Sequence, residues 1–178
     1  MNLLDIIIET DRLVLKPITL DFAKDIFNEF TIEIAKYMYP KPAEKIEETK
    51  EFIENSIEKL KNGIDLQMII VNKNENEFIG CIGLHKINTL EPELGIWTKK
   101  SSHNNGYGLE AMTALIEWAH KNIKFNHFVY PVDKRNIASR KIPEKNNGKI
   151  MKETKMVGMA GNELDNYVYW IYSKNDNK

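Results

Sequence analysis

The stretch ELGIWTKKSSHNNGYG, residues 93–108, decides how this chain reads. ELGIW has the length and composition of a short strand, and the polar run after it leads to Gly106 and Gly108. From residue 109 to 122 apolar residues recur at helical spacing. A strand that turns through glycines into a helix leaves the first N–H groups of that helix without acceptors, with the positive end of the helix dipole behind them. Such a spot suits a phosphate. Glycine lets a bulky pyrophosphate approach the backbone and permits φ > 0. The spacing lacks both the lysine of a P-loop and the triple glycine of a dinucleotide fingerprint, and a bare G-x-G is equally what a tight turn needs.

Working outward, Met112, Ile116 and Ala119 on one side of that helix, with Leu115 and Trp118 on another, predict that it is well buried. Upstream, residues 12–18 alternate as a strand, and Asp21 opens a helix carrying Phe22, Ile26 and Phe30. A second helix carries Ile46, Ile53, Ile57 and Leu60 and stops at Gly63. Residues 66–72 and 78–85 read as a hairpin around the polar turn 73–76. Downstream come a strand over 125–132, a short helix capped by Asn136 and ending near Gly148, and strands over 149–155 and 167–172. The pattern predicts one domain over residues 1–178 with a mixed α/β sheet.

Composition narrows the function. Of 178 residues, 25 are basic and 26 acidic, so no general positive field exists to collect nucleic acid or anionic lipid. Only Arg12, Arg135 and Arg140 are arginines. The single cysteine, Cys81, allows neither a disulfide framework nor a thiolate zinc site, so no metal is expected. The N-terminal run Leu3, Leu4, Ile6, Ile7, Ile8 is broken by Asp5 and lacks the basic residues of an export signal. With no run long enough for a membrane span, the expectation is a cytoplasmic protein that binds no membrane.

Several ordered stretches, ETDRLVLKPI, FIGCIGLH, ELGIW, GYGLEAM and NIASRKIPEK, resemble the GNAT superfamily of acyl-CoA-dependent N-acetyltransferases, and most closely its ribosomal-protein N-terminal acetyltransferase branch. The likeness covers nearly the whole chain. The superfamily signature [R/Q]-x-x-G-x-[G/A] falls on His103, Asn104, Asn105, Gly106, Tyr107 and Gly108, with His103 in place of Arg or Gln. The resemblance implies a GNAT fold with a mostly antiparallel sheet of six or seven strands, splayed between strands four and five and flanked by about four helices. It implies acetyl-CoA as cofactor and CoA as product. Pyrophosphate contacts would fall on residues 103–108 and pantetheine contacts on Ile96, Trp97 and Thr98. Asn147 stands where a glycine is common, which its tolerance of the left-handed conformation accommodates.

The same likeness puts Asn136 on the pantetheine arm and Ser139 beside the sulfur as proton donor. Plain capping of a short helix is the alternative for both. Pro143 occupies a position where other branches carry a catalytic tyrosine; inside the helix it removes the hydrogen bond to the Ser139 carbonyl and should kink it. The base expected is Glu93, directly or through water, with His85 or water alone as the alternative, unless Glu93 is a solvated carboxylate and His85 a satisfied histidine within the sheet. His103, His120 and His127 read as structural or exposed, and Cys81 as a small core residue. The aromatic run places Tyr167 and Tyr169 on one face and Trp170 and Tyr172 on the other, as core packing, an acceptor pocket or a dimer surface.

The acceptor expected is a protein or peptide N-terminal α-amine, about a tenth neutral at pH 7 where a lysine-type amine is almost wholly charged. A small amine such as a polyamine, amino acid or aminoglycoside is the rival within enzymes; Glu33, Tyr37 and Tyr39 can line an acidic channel for it. A catalytically idle acyl-CoA-binding module is the rival outside them. Family habit alone suggests a homodimer.

Overall fold

A computed structural model describes residues 2–173. The chain runs through β1 (Ile8–Glu9), β2 (Leu13–Pro17), α1 (Ala23–Glu29), α2 (Ile32–Ala35), α3 (Ile46–Lys61), β3 (Leu66–Asn72), β4 (Phe78–His85) and β5 (Glu93–Thr98). It continues through α4 (Tyr107–Asn122), β6 (His127–Asp133), α5 (Ile137–Lys145), β7 (Lys149–Val157) and β8 (Glu163–Tyr172). The described strands form one sheet in the order β1-β2-β3-β4-β5-β6-β8-β7, and only β5 and β6 run parallel.

The mostly antiparallel mixed sheet matches the expectation, but eight strands and five helices replace six or seven and about four. The two residues of β1 are too few to show an alternating pattern, and α2 is a single turn capped by Thr31, whose Oγ1 accepts from Ile34 N at 3.4 Å. Several boundaries also move. The first helix begins through a 3-10 turn at Leu20–Phe22, Phe125 precedes β6 and packs on Phe128, and β7 and β8 extend to a five-residue turn at 158–162. The apolar N-terminal run belongs to the fold, since Leu3 and Ile8 are buried in the core.

β3 and β4 are buried at nearly every position because helices cover both faces of the sheet. Successive side chains of β5 show the two layers. Ile96 faces Gly108 at the start of α4, while Trp97 packs on Phe30 and Phe78 beneath α1, with ring centroids 5.0 and 5.8 Å away. β7 is the exposed edge. No described helix is long and apolar enough to cross a membrane.

The sheet parts between β5 and β6 rather than between strands four and five, because β1 adds a strand ahead of them, and the break has a cause in the sequence. β5 and β6 register only at Glu93↔Val129, with Val129 N donating to Pro92 O at 2.9 Å. With a period of two along the strand, the next donor toward β5 is residue 131. It is Pro131, which has no N–H, so the ladder stops and the strands part.

Candidate active site

Beyond that break opens a cleft of about 1740 Å³ whose walls come from both faces of the sheet. On the α4 side lie Ile96, Thr98, His103, Asn104, Gly106, Tyr107, Gly108, Asn136 and Ser139. On the α1 side lie Gly83, His85, Glu93 and Gly95, with Tyr37 and Tyr39 from the segment after α2. Asn105 is the one predicted binding residue outside the lining; its Nδ2 donates to Ser102 O and His103 O and holds the loop closed.

The loop before α4 uses the left-handed region twice, at Asn104 (φ 63°) and Gly106 (φ 75°). Such alternation turns successive amides toward a common concavity. Gly106 is the N-cap of a 16-residue helix, so the amides of Tyr107, Gly108 and Leu109 have no acceptor within it. Gly108 has no positive φ, and a Cβ there would meet Ile142 Cδ1 at 3.6 Å and Ile96 Cδ1 at 3.8 Å, both ordinary contacts. The conformational demand therefore falls on Gly106 alone. His103 turns back on β5, its Nε2 lying 3.0 Å from Thr98 O. The Trp97 side chain belongs to the aromatic cluster under α1, which leaves its backbone at the gap.

Two stretches far apart in sequence meet at this loop. Glu110 Oε1 accepts from Thr10 Oγ1 at 2.5 Å and from Arg12 N at 3.1 Å, while Oε2 takes Arg12 Nε at 2.7 Å and a second guanidinium nitrogen at 2.6 Å. Burial alone would raise the Glu110 carboxyl; these donors outweigh it and hold the group below the usual carboxylate range. Arg12 also stacks over Tyr107 and lies 3.7 Å from where a Cβ on Gly106 would stand. Arg12 therefore packs against the loop before α4, a place that its position in ETDR does not show.

At the other wall, Asn136 caps α5, its Oδ1 accepting from Ser139 N at 3.2 Å. The capping alternative is therefore real for its oxygen, and its Nδ2 remains. Ser139 Oγ lies 2.8 Å from the hydroxyl of Tyr130, a buried residue of β6 that sequence reasoning passed over. That hydroxyl is also 3.5 Å from Ser139 O, the carbonyl that Pro143 deprives of a helical donor. α5 continues through Pro143 to Lys145, and Asn147 takes the left-handed conformation at φ 61°. Burial pushes the Tyr130 phenol up to about 12, so it stays protonated. Burial likewise pushes the Cys81 thiol up, which leaves it no nucleophilic character.

The end of the cleft beside the segment after α2 is strapped. Met159 N donates to Tyr39 O at 2.8 Å, and Asn162 Nδ2 reaches Lys36 O and Met38 O at 3.2 Å each, tying the β7–β8 turn to the segment after α2. Glu33 is paired with Lys100 at 2.5 Å and Glu93 with Lys86 at 3.3 Å. No described cluster of His, Cys, Asp and Glu could hold a metal ion.

A family model described as an acetyltransferase (GNAT) domain matches residues 12–149. No curated protein sequence matches the chain. Among solved structures, the ribosomal-protein-S5-alanine acetyltransferase of Vibrio fischeri is similar, with a TM-score of 0.84 at 20% identity over 98% of this chain and 100% of that one. So is RimL, a ribosomal-protein α-N-acetyltransferase solved with coenzyme A, at 0.85 and 18% over 96% and 100%. The microcin C7 self-immunity acetyltransferase MccE, solved with acetyl-CoA and AMP, gives 0.80 and 21% over 92% and 93%. At such identities these likenesses carry the fold alone. The amide concavity for a diphosphate and the slot left by Pro131 for a thin arm fit acetyl-CoA, the cofactor of this family. With the family model spanning most of its length, the chain belongs to the GNAT family and is an acyl-CoA-dependent N-acetyltransferase.

Proposed function

We propose that this enzyme acetylates the N-terminal α-amine of a protein or peptide, with residues 1–178 acting as one cytoplasmic domain. The observation that carries the reading is the charge of the acceptor wall. Lys152 and Lys155 of β7 line the cleft with no carboxylate partner among the described residues, while of the carboxylates there Glu33 and Glu93 are paired with lysines and Glu48 accepts from Glu44 N. That wall repels a polyamine or an aminoglycoside and tolerates a neutral or acidic chain end. The strap over the cleft also favours a thin, flexible end over a lysine on a folded surface. RimL is by name an α-N-protein acetyltransferase of ribosomal L7/L12, which agrees with this choice.

In this reading the loop at 103–108 holds the diphosphate on its backbone amides, with Gly106 supplying the turn. Ile96, Trp97 and Thr98 offer the strand edge, and Asn136 the free Nδ2, to the pantetheine arm. Acetyl-CoA supplies an acetyl group activated as a thioester. Ser139 stands ready to protonate the departing sulfur, with Tyr130 fixing its hydroxyl. Glu93, paired with Lys86, lies across the ladder from His85, where the amine would arrive. Both demands on protons are modest for an α-amine, so positioning carries much of the rate.

The test is transfer from acetyl-CoA to hexapeptides beginning with Ser, Ala or Met, to the same peptides blocked at the N-terminus but carrying lysine, and to spermidine and kanamycin. Transfer to free N-termini alone is expected. Preference for spermidine or kanamycin would overturn the acceptor assignment, and tight acetyl-CoA binding without transfer to any acceptor would leave an idle binding module.

A further inference from the structure

We propose that His85 and Asp65 form an imidazole–carboxylate pair that removes the proton from the attacking amine, with His85 as the base and Asp65 as its positioning residue. The proposal rests on the acetyltransferase reading above and names the proton acceptor of that same site. His85 closes β4, and its Nδ1 lies 3.3 Å from Asp65 Oδ2. Asp65 is buried and held in place: Oδ1 accepts from Lys86 N at 2.9 Å and Oδ2 from Lys59 Nζ at 3.0 Å. Burial alone would raise its carboxyl, but these donors and His85 outweigh that and keep it below the usual range, so it remains an anion. An anionic acceptor on Nδ1 selects the tautomer that carries its proton there and leaves Nε2 with a free lone pair.

The sheet face in front of that lone pair is cleared by two glycines. Gly83 and Gly95 are cross-strand partners; a Cβ on Gly83 would come within 2.6 Å of His85 Nε2 and one on Gly95 within 3.8 Å. The ring therefore lies along the sheet above both, and all three residues line the cleft. The His85 side chain is 35% exposed, which leaves it accessible to an acceptor. Glu93, in register with His85, is bound by Lys86, so its charge is committed to an ion pair. Asp65 and Lys59 behind the ring, with Lys86 and Glu93 beside it, are the charged groups against it, and Glu48 of α3 lines the same cleft. As the C–N bond forms, the proton on nitrogen passes to His85 Nε2. As the C–S bond breaks, Ser139 gives its proton to sulfur. Solvent then takes the proton from His85 and returns one to Ser139, so in sum the acetyl group has passed from sulfur to nitrogen and one proton from nitrogen to sulfur, with no other reactant.

The test combines imidazole ¹⁵N NMR of the whole protein with rates of acetyl transfer to a Ser-Ala hexapeptide from pH 6 to 9.5. The expected spectrum shows His85 as the Nδ1–H tautomer in wild type and a mixture in Asp65→Asn. His85→Gln should lower kcat about 10²-fold, the low end of general-base effects, with acetyl-CoA affinity by calorimetry unchanged within twofold. Asp65→Asn should lower kcat about tenfold and move the pH profile, which loss of packing alone would not do. Glu93→Gln should act mainly on KM. The proposal is overturned if His85 is the Nε2–H tautomer, which has no lone pair to offer, or if Glu93→Gln loses kcat while His85→Gln does not. If acetyl-CoA binds but no peptide is acetylated, the acceptor reading fails, and the tautomer alone then decides for or against the pair.

Discussion

Ser139→Ala should cost more stability than its exposure would lead one to expect. Tyr130 is 2% exposed and its hydroxyl has one good partner, Ser139 Oγ at 2.8 Å; Ser139 O at 3.5 Å is beyond a normal hydrogen bond. Removing Oγ leaves a buried phenol unsatisfied, at about 1–3 kcal/mol. Tyr130→Phe instead leaves the serine hydroxyl, which lines the cleft and can turn to water, and should cost only about 0.5–1.5 kcal/mol. The double variant removes both polar atoms, so its loss should fall short of the sum of the singles by about 1 kcal/mol. Urea melts followed by circular dichroism would measure this, and each kcal/mol should move the thermal midpoint by about 2–4 °C. Losses that add to within about 0.3 kcal/mol would refute the coupling of the two hydroxyls. Kinetically, Ser139→Ala should lower kcat about 10²-fold and Tyr130→Phe less, with acetyl-CoA affinity kept, because neither residue holds the diphosphate.

Three further outcomes follow from other parts of the molecule. Gly106→Ala forces a Cβ into the left-handed conformation and should cost about 1–2 kcal/mol and weaken acetyl-CoA binding, whereas Gly108→Ala, with its Cβ in ordinary contact, should fold within about 0.5 kcal/mol of wild type by chemical denaturation. Pro131→Val restores an N–H where the β5–β6 ladder stops, so it should narrow the slot and weaken acetyl-CoA binding without loss of stability; unchanged affinity by calorimetry would mean that the proline does not hold the strands apart. Burial of His127 outweighs the attraction of Glu91 and lowers the pKa of its imidazole, so the unfolded chain binds that proton more readily. Stability should therefore be full above about pH 6.5 and decline as pH falls below it, less so in His127→Phe, with a second decline below about pH 4 as Asp65, Glu110 and Asp133, all held below the usual carboxylate range, take up protons.

Much of the site was legible because its signals are local. Gly106 before α4 declares a left-handed turn into a helix, and Asn136 declares a cap, since these conformations are set by the residues themselves. Pro131 was legible in principle: a proline inside VYPVD marks where a ladder must lose a donor, and it went unread because only the partner strand tells which donor is missing. Tyr130 and Asp65 carried no signal. One looks like a strand aromatic and the other like a loop carboxylate until the fold sets them against Ser139 and His85. Arg12 was noticed for its motif but not for its place, because Glu110 lies 98 residues away in sequence.

The sequence by itself determined most of the elements, the glycine turn and the alternating faces of the strands, since each depends on conformational preference or spacing within about a dozen residues, and its ordered motifs along the chain carried the likeness to the family. Tertiary structure alone decided which charges are spent and which are free. Glu33 and Glu93 lose theirs to Lys100 and Lys86, Lys152 and Lys155 keep theirs, and His85 acquires a buried carboxylate behind it. Electrostatic and hydrogen-bonding partners act through space over a few ångströms, and only the folded chain brings those groups within that range.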